Sequence, residues 1–256
     1  MNIFEVLAHE GEEVVEVVVL RLDEVIRTNS INYTIWAFVA LAALTFLSII
    51  LKRWPSLRIF LFLGFILVIL GNTLYLIGST LYLNKESQSG GPVHYHADFE
   101  IYRCGQKIDL KDPEGLSNKV GTNVIHEHGD DRIHIEGVLL DKHDASLGHF
   151  FAELGGSMDG NHLTVSTNKS LLTLQNGDLC NGRPALFQVF VYQTKGERYF
   201  QQKITENPED YIISPEGNIP PGDCVILELD ALKDRTDKLC EQYLLKKETG
   251  EINNGN

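Results

Sequence analysis

Charged residues vanish from the chain twice, from Thr28 to Leu51 and again from Ile59 to Asn84. Each run reaches the roughly 20 residues that a helix needs to cross a hydrocarbon core. The pattern predicts a transmembrane hairpin with spans at residues 31–51 and 59–83. Between them, residues 52–58 hold Lys52, Arg53 and Arg58 around the helix breaker Pro55, which predicts a basic turn in the cytoplasm. Glu10, Glu12, Glu13, Glu16, Asp23 and Glu24 precede the first span, so both termini are expected on the extracytoplasmic side of the cell membrane. Residues 1–30 mix valines and leucines with these carboxylates and are expected to form an amphipathic segment. They lack the basic start and small-residue cleavage site of a signal peptide. Gly64, Gly71 and Gly78 recur every seven residues and share one helix face, suited to close approach by the first span or by a second copy of the chain.

After Leu83 the pattern changes. Residues 84–92 are polar and glycine-rich and are expected to be a flexible linker. From Val93 the period is two: Tyr95, Ala97, Phe99 and Ile101 alternate with His94, His96, Asp98 and Glu100, as on a half-buried strand. Cys104-Gly105 turns the chain into Gln106 to Leu110. Further strands are predicted at Val124 to His128, Arg132 to Glu136, Leu163 to Ser166, Phe187 to Gln193 and Cys224 to Leu229. The stretch from Ile219 to Asp223 should form the turn before the last of them. Leu147, Phe150, Phe151 and Leu154 follow helical spacing, with Asp144 or Ser146 as N-cap and Gly155-Gly156 as the stop. The fold class is α+β: a two-helix transmembrane hairpin plus a mostly antiparallel, β-rich extracytoplasmic domain over residues 93–245. A disordered tail is expected over residues 246–256.

A formal charge of −13 without a basic cluster in the soluble part excludes a nucleic-acid partner. Cys104, Cys180, Cys224 and Cys240 all follow the spans, an even set that fits an oxidising compartment and at least one disulfide among three connectivities. No C-x-x-C redox motif is present.

Seven of the nine histidines lie between positions 94 and 149. Five of them, with one glutamate, form H-x-H, H-x-H and H-x-E: His94 and His96, His126 and His128, His134 and Glu136. Residues two apart on a strand share a face, so each pair offers two ligands to one side, and neighbouring strands can converge them on one zinc or copper ion. Solvated polar faces or a pH-responsive histidine cluster are the competing readings. His143 and His149 are weaker candidates, and His9 and His162 are expected to be structural or exposed.

The blocks H-x-H-A-D-F at 94, H-x-H at 126, I-H-I-E at 133 and L-G-x-F-F at 147 resemble a group of membrane-anchored bacterial and archaeal proteins. The likeness extends over residues 94–155, with C-N-G at 180 and P-P-G-D-C at 220 as further points of contact. It implies a recurring domain and brings no activity with it. A cupin also carries H-x-H and a P-x-G turn, but its glutamate follows the second histidine by four or five positions, whereas Glu136 lies eight beyond His128. The sequence therefore points first to a module for ion capture, sensing or delivery, with His96, His126, His128 and His134 nearest the ion. A metal-dependent hydrolase using Glu136 or Asp98 as base is the enzyme alternative, although H-E-x-x-H and G-x-S-x-G are both missing. A disulfide-stapled interaction domain is the third. The expected partners are the lipid bilayer, a divalent ion and, through the glycine face, a homo-oligomer.

Overall fold

The computed structural model describes residues 21–116, 118–214 and 222–255. Most of the expected amphipathic segment, and residues 219–221 of the expected turn, lie outside them. The chain divides into two compact units between Ser79 and Thr80.

The first unit is built on α1 (Leu22–Ile50) and α2 (Arg58–Glu86), joined by two short 3-10 turns that meet at Trp54 and Pro55. Each helix has 29 residues, about 43 Å at 1.5 Å per residue, against a hydrocarbon core of about 30 Å. Both are long and apolar enough to cross a membrane. Neither buries a single residue, and Trp36, Phe38 and Leu67 are each about 70% exposed. The helices touch through an edge-to-face pair, Tyr33 and Tyr75, with centroids 4.6 Å apart. Of the three glycines, Gly64 faces the first helix, since a Cβ there would stand 3.2 Å from Leu44 Cδ2, whereas Gly71 and Gly78 have nothing within 4 Å.

The second unit begins at Thr80, within the last turns of α2. Residues 87–89 are pinned: the Gln88 amide donates to the Leu139 carbonyl (2.9 Å), Ser89 Oγ accepts from the Leu139 amide (3.2 Å) and Gln88 Oε1 accepts from the Lys142 amide (3.1 Å). The expected linker is thus short and hydrogen-bonded. The strands then follow as β1 (Pro92–Arg103), β2 (Gln106–Ile108), β3 (Val120–Gly121), β4 (Ile125–Glu127) and β5 (Arg132–Val138). Helix α3 (Leu147–Glu153) comes next, capped by Ser146 Oγ, which accepts from the His149 amide. It leads to β6 (Ser157–Met158), β7 (His162–Ser166), β8 (Leu171–Gln175), β9 (Leu179–Cys180), β10 (Arg183–Pro184), β11 (Leu186–Lys195), β12 (Arg198–Ile204) and β13 (Asp223–Asp230). Helix α4 (Glu241–Glu248) and β14 (Asn253–Asn254) close the chain.

Among the described residues the main sheet runs β14-β12-β11-β13-β1-β5-β4-β3, with β2 paired to β1. The β1–β13 and β12–β14 pairs are parallel and the others antiparallel. The class is α+β, mostly antiparallel. One face carries the larger core: Tyr95, Phe99, Ile133 and Ile135 pack with Phe150, Phe151 and the β6–β7–β8 sheet. The other face has two halves. Over β11, β12 and β13 a second core gathers Phe190, Tyr192, Ile226 and Tyr243 of α4, while over β1, β4 and β5 the same face carries the histidines.

Two disulfides brace the unit, Cys104–Cys180 and Cys224–Cys240, and they account for all four cysteines. Within residues 246–255, expected as a disordered tail, Ile252 is buried and β14 adds to the sheet beside β12; just before them Tyr243 is fully buried with its hydroxyl donating to the Tyr192 and Gly222 carbonyls. A polar, asparagine-rich sequence hides this because two apolar anchors and one disulfide supply the order.

Candidate metal centre

Register builds the site. His94 stands opposite Glu136 and His96 opposite His134 in the β1–β5 pair, and His126 stands opposite His134 in the β4–β5 pair. Opposed side chains on one face begin about 5 Å apart at Cβ. The rings consequently form a chain of contacts: His94 to His96 (4.9 Å between centroids), His96 to His134 (4.5 Å), and His134 to both His128 (4.6 Å) and His126 (5.5 Å). All six residues singled out in the sequence lie in this file.

Within it, His126, His128 and His134 each offer one donor atom such that all three atoms lie within 4.8 Å of one another. The tautomers of two of them follow from their partners. His128 Nδ1 is hydrogen-bonded to the Asn118 carbonyl, which only accepts, so Nδ1 carries the proton and Nε2 keeps its lone pair. His134 Nε2 donates to Asp130 Oδ2 at 3.2 Å, leaving Nδ1 as its lone-pair nitrogen. A ring fixed through one nitrogen by a carbonyl or carboxylate is the arrangement found behind metal-ligating histidines. His126 is different. It is 2% exposed and its Nδ1 has no hydrogen-bond partner, an unsatisfied polar atom in a site that leaves little access to water.

Electrostatics favour neutral rings. Burial pushes the His126 pKa down to about 4, with the Lys119 charge acting in the same direction. Burial also lowers His134, against the opposing pull of the Asp130 hydrogen bond. Neutral imidazole is the ligand form, so a site that disfavours protonation is prepared for a cation whose own charge such a pocket then accepts.

No family model, curated protein or solved structure matches this chain. The reading of the site therefore rests on its own geometry.

A tetrahedral site with metal–nitrogen bonds near 2.05 Å sets neighbouring donors about 3.3 Å apart. The donor atoms of the triad, within 4.8 Å of one another, stand wider than that spacing and would have to draw together around an ion. The residues present fit a divalent ion. They offer three imidazole nitrogens.

The structure divides the six expected ligands rather than converging them on one point. His96 packs its ring on His134 at the edge of the triad, and His94 and Glu136 form an ion pair of 3.2 Å further along β1 and β5. Burial lowers the His96 pKa to about 4, helped by the neighbouring His134 and Arg132. The other histidines stand apart. The His143 amide donates to Asp141 in a capping box, His149 Nε2 lies 3.6 Å from Glu153, and His162 pairs with Asp159 at 3.0 Å. His9 falls outside the described residues.

Three contributors escaped sequence reasoning. Asp130 orients His134, and buried Glu127 accepts from the Asp130 amide at 2.8 Å, so the carboxylate between the two histidines of H-E-H shapes the turn that positions Asp130. Asn118 contributes only a carbonyl. Glu127 and Asp130 had a signal, since a buried glutamate beside a G-D-D turn is an organiser of that turn, whereas the Asn118 carbonyl had none.

Proposed function

We propose that this chain is a membrane-anchored metal-binding module that holds a zinc or copper ion at His126, His128 and His134 on the extracytoplasmic side, for capture, sensing or delivery. The observation that carries the reading is the triad itself: three imidazoles whose donor atoms lie within 4.8 Å of one another, one ring buried with an unpartnered nitrogen. Buried without a partner, that nitrogen is unsatisfied, at a cost of about 1–3 kcal/mol. A bound cation removes the deficit. Two observations support the location: the spans flank Lys52, Arg53 and Arg58, and all four cysteines on the far side are paired.

The test is titration of the full chain, purified in detergent, with zinc(II) and copper(II) against a chromophoric competitor. The reading expects saturable binding near neutral pH that disappears from the triad in the double variant His126→Ala, His128→Ala. His162→Ala should bind like the parent. Titration curves that the double substitution leaves unchanged would refute it.

A further inference from the structure

We propose that His94, His96 and Glu136 form a second cation site, facing solvent and contiguous with the buried triad. The inference takes the metal-binding reading of the triad as its starting point and adds a second ion to it. Its basis is separate geometry. His94 Nε2 lies 3.2 Å from His96 Nε2 and 3.2 Å from Glu136 Oε1. Both distances equal, within about 0.2 Å, the 3.3 Å edge of a tetrahedron of donors around zinc. His94 Nε2 thus stands at donor spacing from both of its neighbours, and a cation there would have to draw His96 and Glu136 together.

Ordinary pairing explains the arrangement less well. A ring nitrogen carries either one proton or one lone pair. If His94 Nε2 donates to Glu136, the same proton has to be shared with His96, a bifurcated bond between groups that water could satisfy singly. A cross-strand ion pair this exposed contributes about 0–1 kcal/mol, with the His94 side chain 64% and the Glu136 side chain 40% exposed, so it gives little reason to hold the rings there. One cation on the three atoms satisfies all of them, and the carboxylate offsets part of its charge.

Position gives the site its role. His94 is exposed and His126 is buried, and between them the ring of His96 rests on that of His134, a ligand of the triad. An ion arriving from solvent meets two imidazoles and a carboxylate first. Both sites then sit on one ladder of strands, joined through the His96–His134 contact.

Zinc(II) titrated into the full chain in detergent, read by calorimetry and by metal analysis after equilibrium dialysis, tests the inference. The parent should bind two zinc ions per chain. The variant His94→Ala, Glu136→Gln removes the solvent-facing ligands without touching the triad and should bind one. The variant His126→Ala, His128→Ala should also bind one, now at the outer site. If the parent binds a single ion that is lost with His126 and His128 and unaffected by the His94 and Glu136 changes, the outer site is overturned and the triad stands. A single ion lost only with His94 and Glu136 overturns the triad and keeps the outer site. Absence of saturable binding in the parent overturns both.

Discussion

Gly121 is where backbone and metal centre meet, and its replacement by alanine tests whether the strand behind His126 sets the ligand. Gly121 pairs with His126 across β3 and β4 and has φ +109°, a conformation open to glycine and strained for any L residue. A Cβ there would stand 2.7 Å from the Ile125 carbonyl oxygen and 3.0 Å from His126 Cα. Ordinary contact needs roughly 3.4 Å or more, so backbone has to retreat by about 0.7 Å. That carbonyl accepts from the Thr122 amide and hydroxyl, at 2.9 and 3.2 Å, so its retreat also loosens the turn between the strands. The φ strain costs about 1–3 kcal/mol, and overpacking adds about 1–3 kcal/mol.

For a unit of this size, at about 2–4 °C per kcal/mol, Gly121→Ala should lower Tm by on the order of 10 °C. Because ligands must be held to about 0.5 Å, zinc affinity of the molecules that remain folded should fall by about 10–100-fold. Differential scanning fluorimetry and competitor titration of the full chain below the variant's melting range measure the two effects. Gly156→Ala serves as the matched control: a Cβ there would meet the Thr164 carbonyl at 2.0 Å, beside the larger core. It should destabilise without weakening zinc. Wild-type affinity in folded Gly121→Ala would refute the coupling between β3 and the ligand.

Removing Cys104–Cys180, which spans 76 residues and encloses β4 and β5, should cost about 4.5 kcal/mol by loop entropy. Cys224–Cys240, spanning 16, should cost about 3 kcal/mol in the same treatment, and urea midpoints of the paired alanine variants check the order once the buried sulfurs lost at Cys224 and Cys240 are allowed for. The metal-free protein should lose stability as pH falls from about 6.5 to about 4, because His96 and His126 are held at about 4 and the unfolded chain takes up protons that the folded one refuses. Asp98, pushed up to about 6 by burial, opposes this over part of the range, so a melting temperature that rises on acidification would show that the histidine shifts do not dominate. For the topology, a cysteine placed at Ser56 should resist a membrane-impermeant reagent in intact cells while one at Ser89 reacts, and the reverse labelling would invert the assignment.

The histidine face was legible because three i, i+2 pairs recur, two of them on strands whose opposite face is apolar. Ile133 and Ile135 have to be buried, so His134 and Glu136 have to point away from that core, and the same parity fixes His94 and His96. Which pairs meet was not legible. That depends on register, and the β4–β5 turn places His126 opposite His134 through Gly129 and the positive φ of Asp131. Strand β12 escaped because Arg198 to Ile204 has little apolar content, and β8 because consecutive leucines mask alternation. The parallel pairing of β1 with β13 joins segments more than a hundred residues apart and has no local signature.

The sheet itself explains why histidines are found on one half of a face and apolar core on the other. Along β1 the even-numbered positions run His94, His96, Asp98, Glu100 and Tyr102, passing from solvent to interior. Asp98 is buried and pairs with Arg132 at 2.8 Å, its register partner, and Glu100 is buried and pairs with Lys107 at 3.2 Å. Beyond them Tyr102 joins the second core under α4. These paired charges mark the boundary: on one side α4 and the Cys224–Cys240 bridge cover the face, and on the other nothing apolar is offered for them to cover. Removing either partner of the Asp98–Arg132 pair leaves an uncompensated buried charge, at a cost of about 3–5 kcal/mol in well-buried cases. Partial exposure of Arg132 reduces that figure here. The uncovered half of the face is polar and carries imidazoles whose protonation the fold resists, and His126, His128 and His134 on it could hold a metal ion.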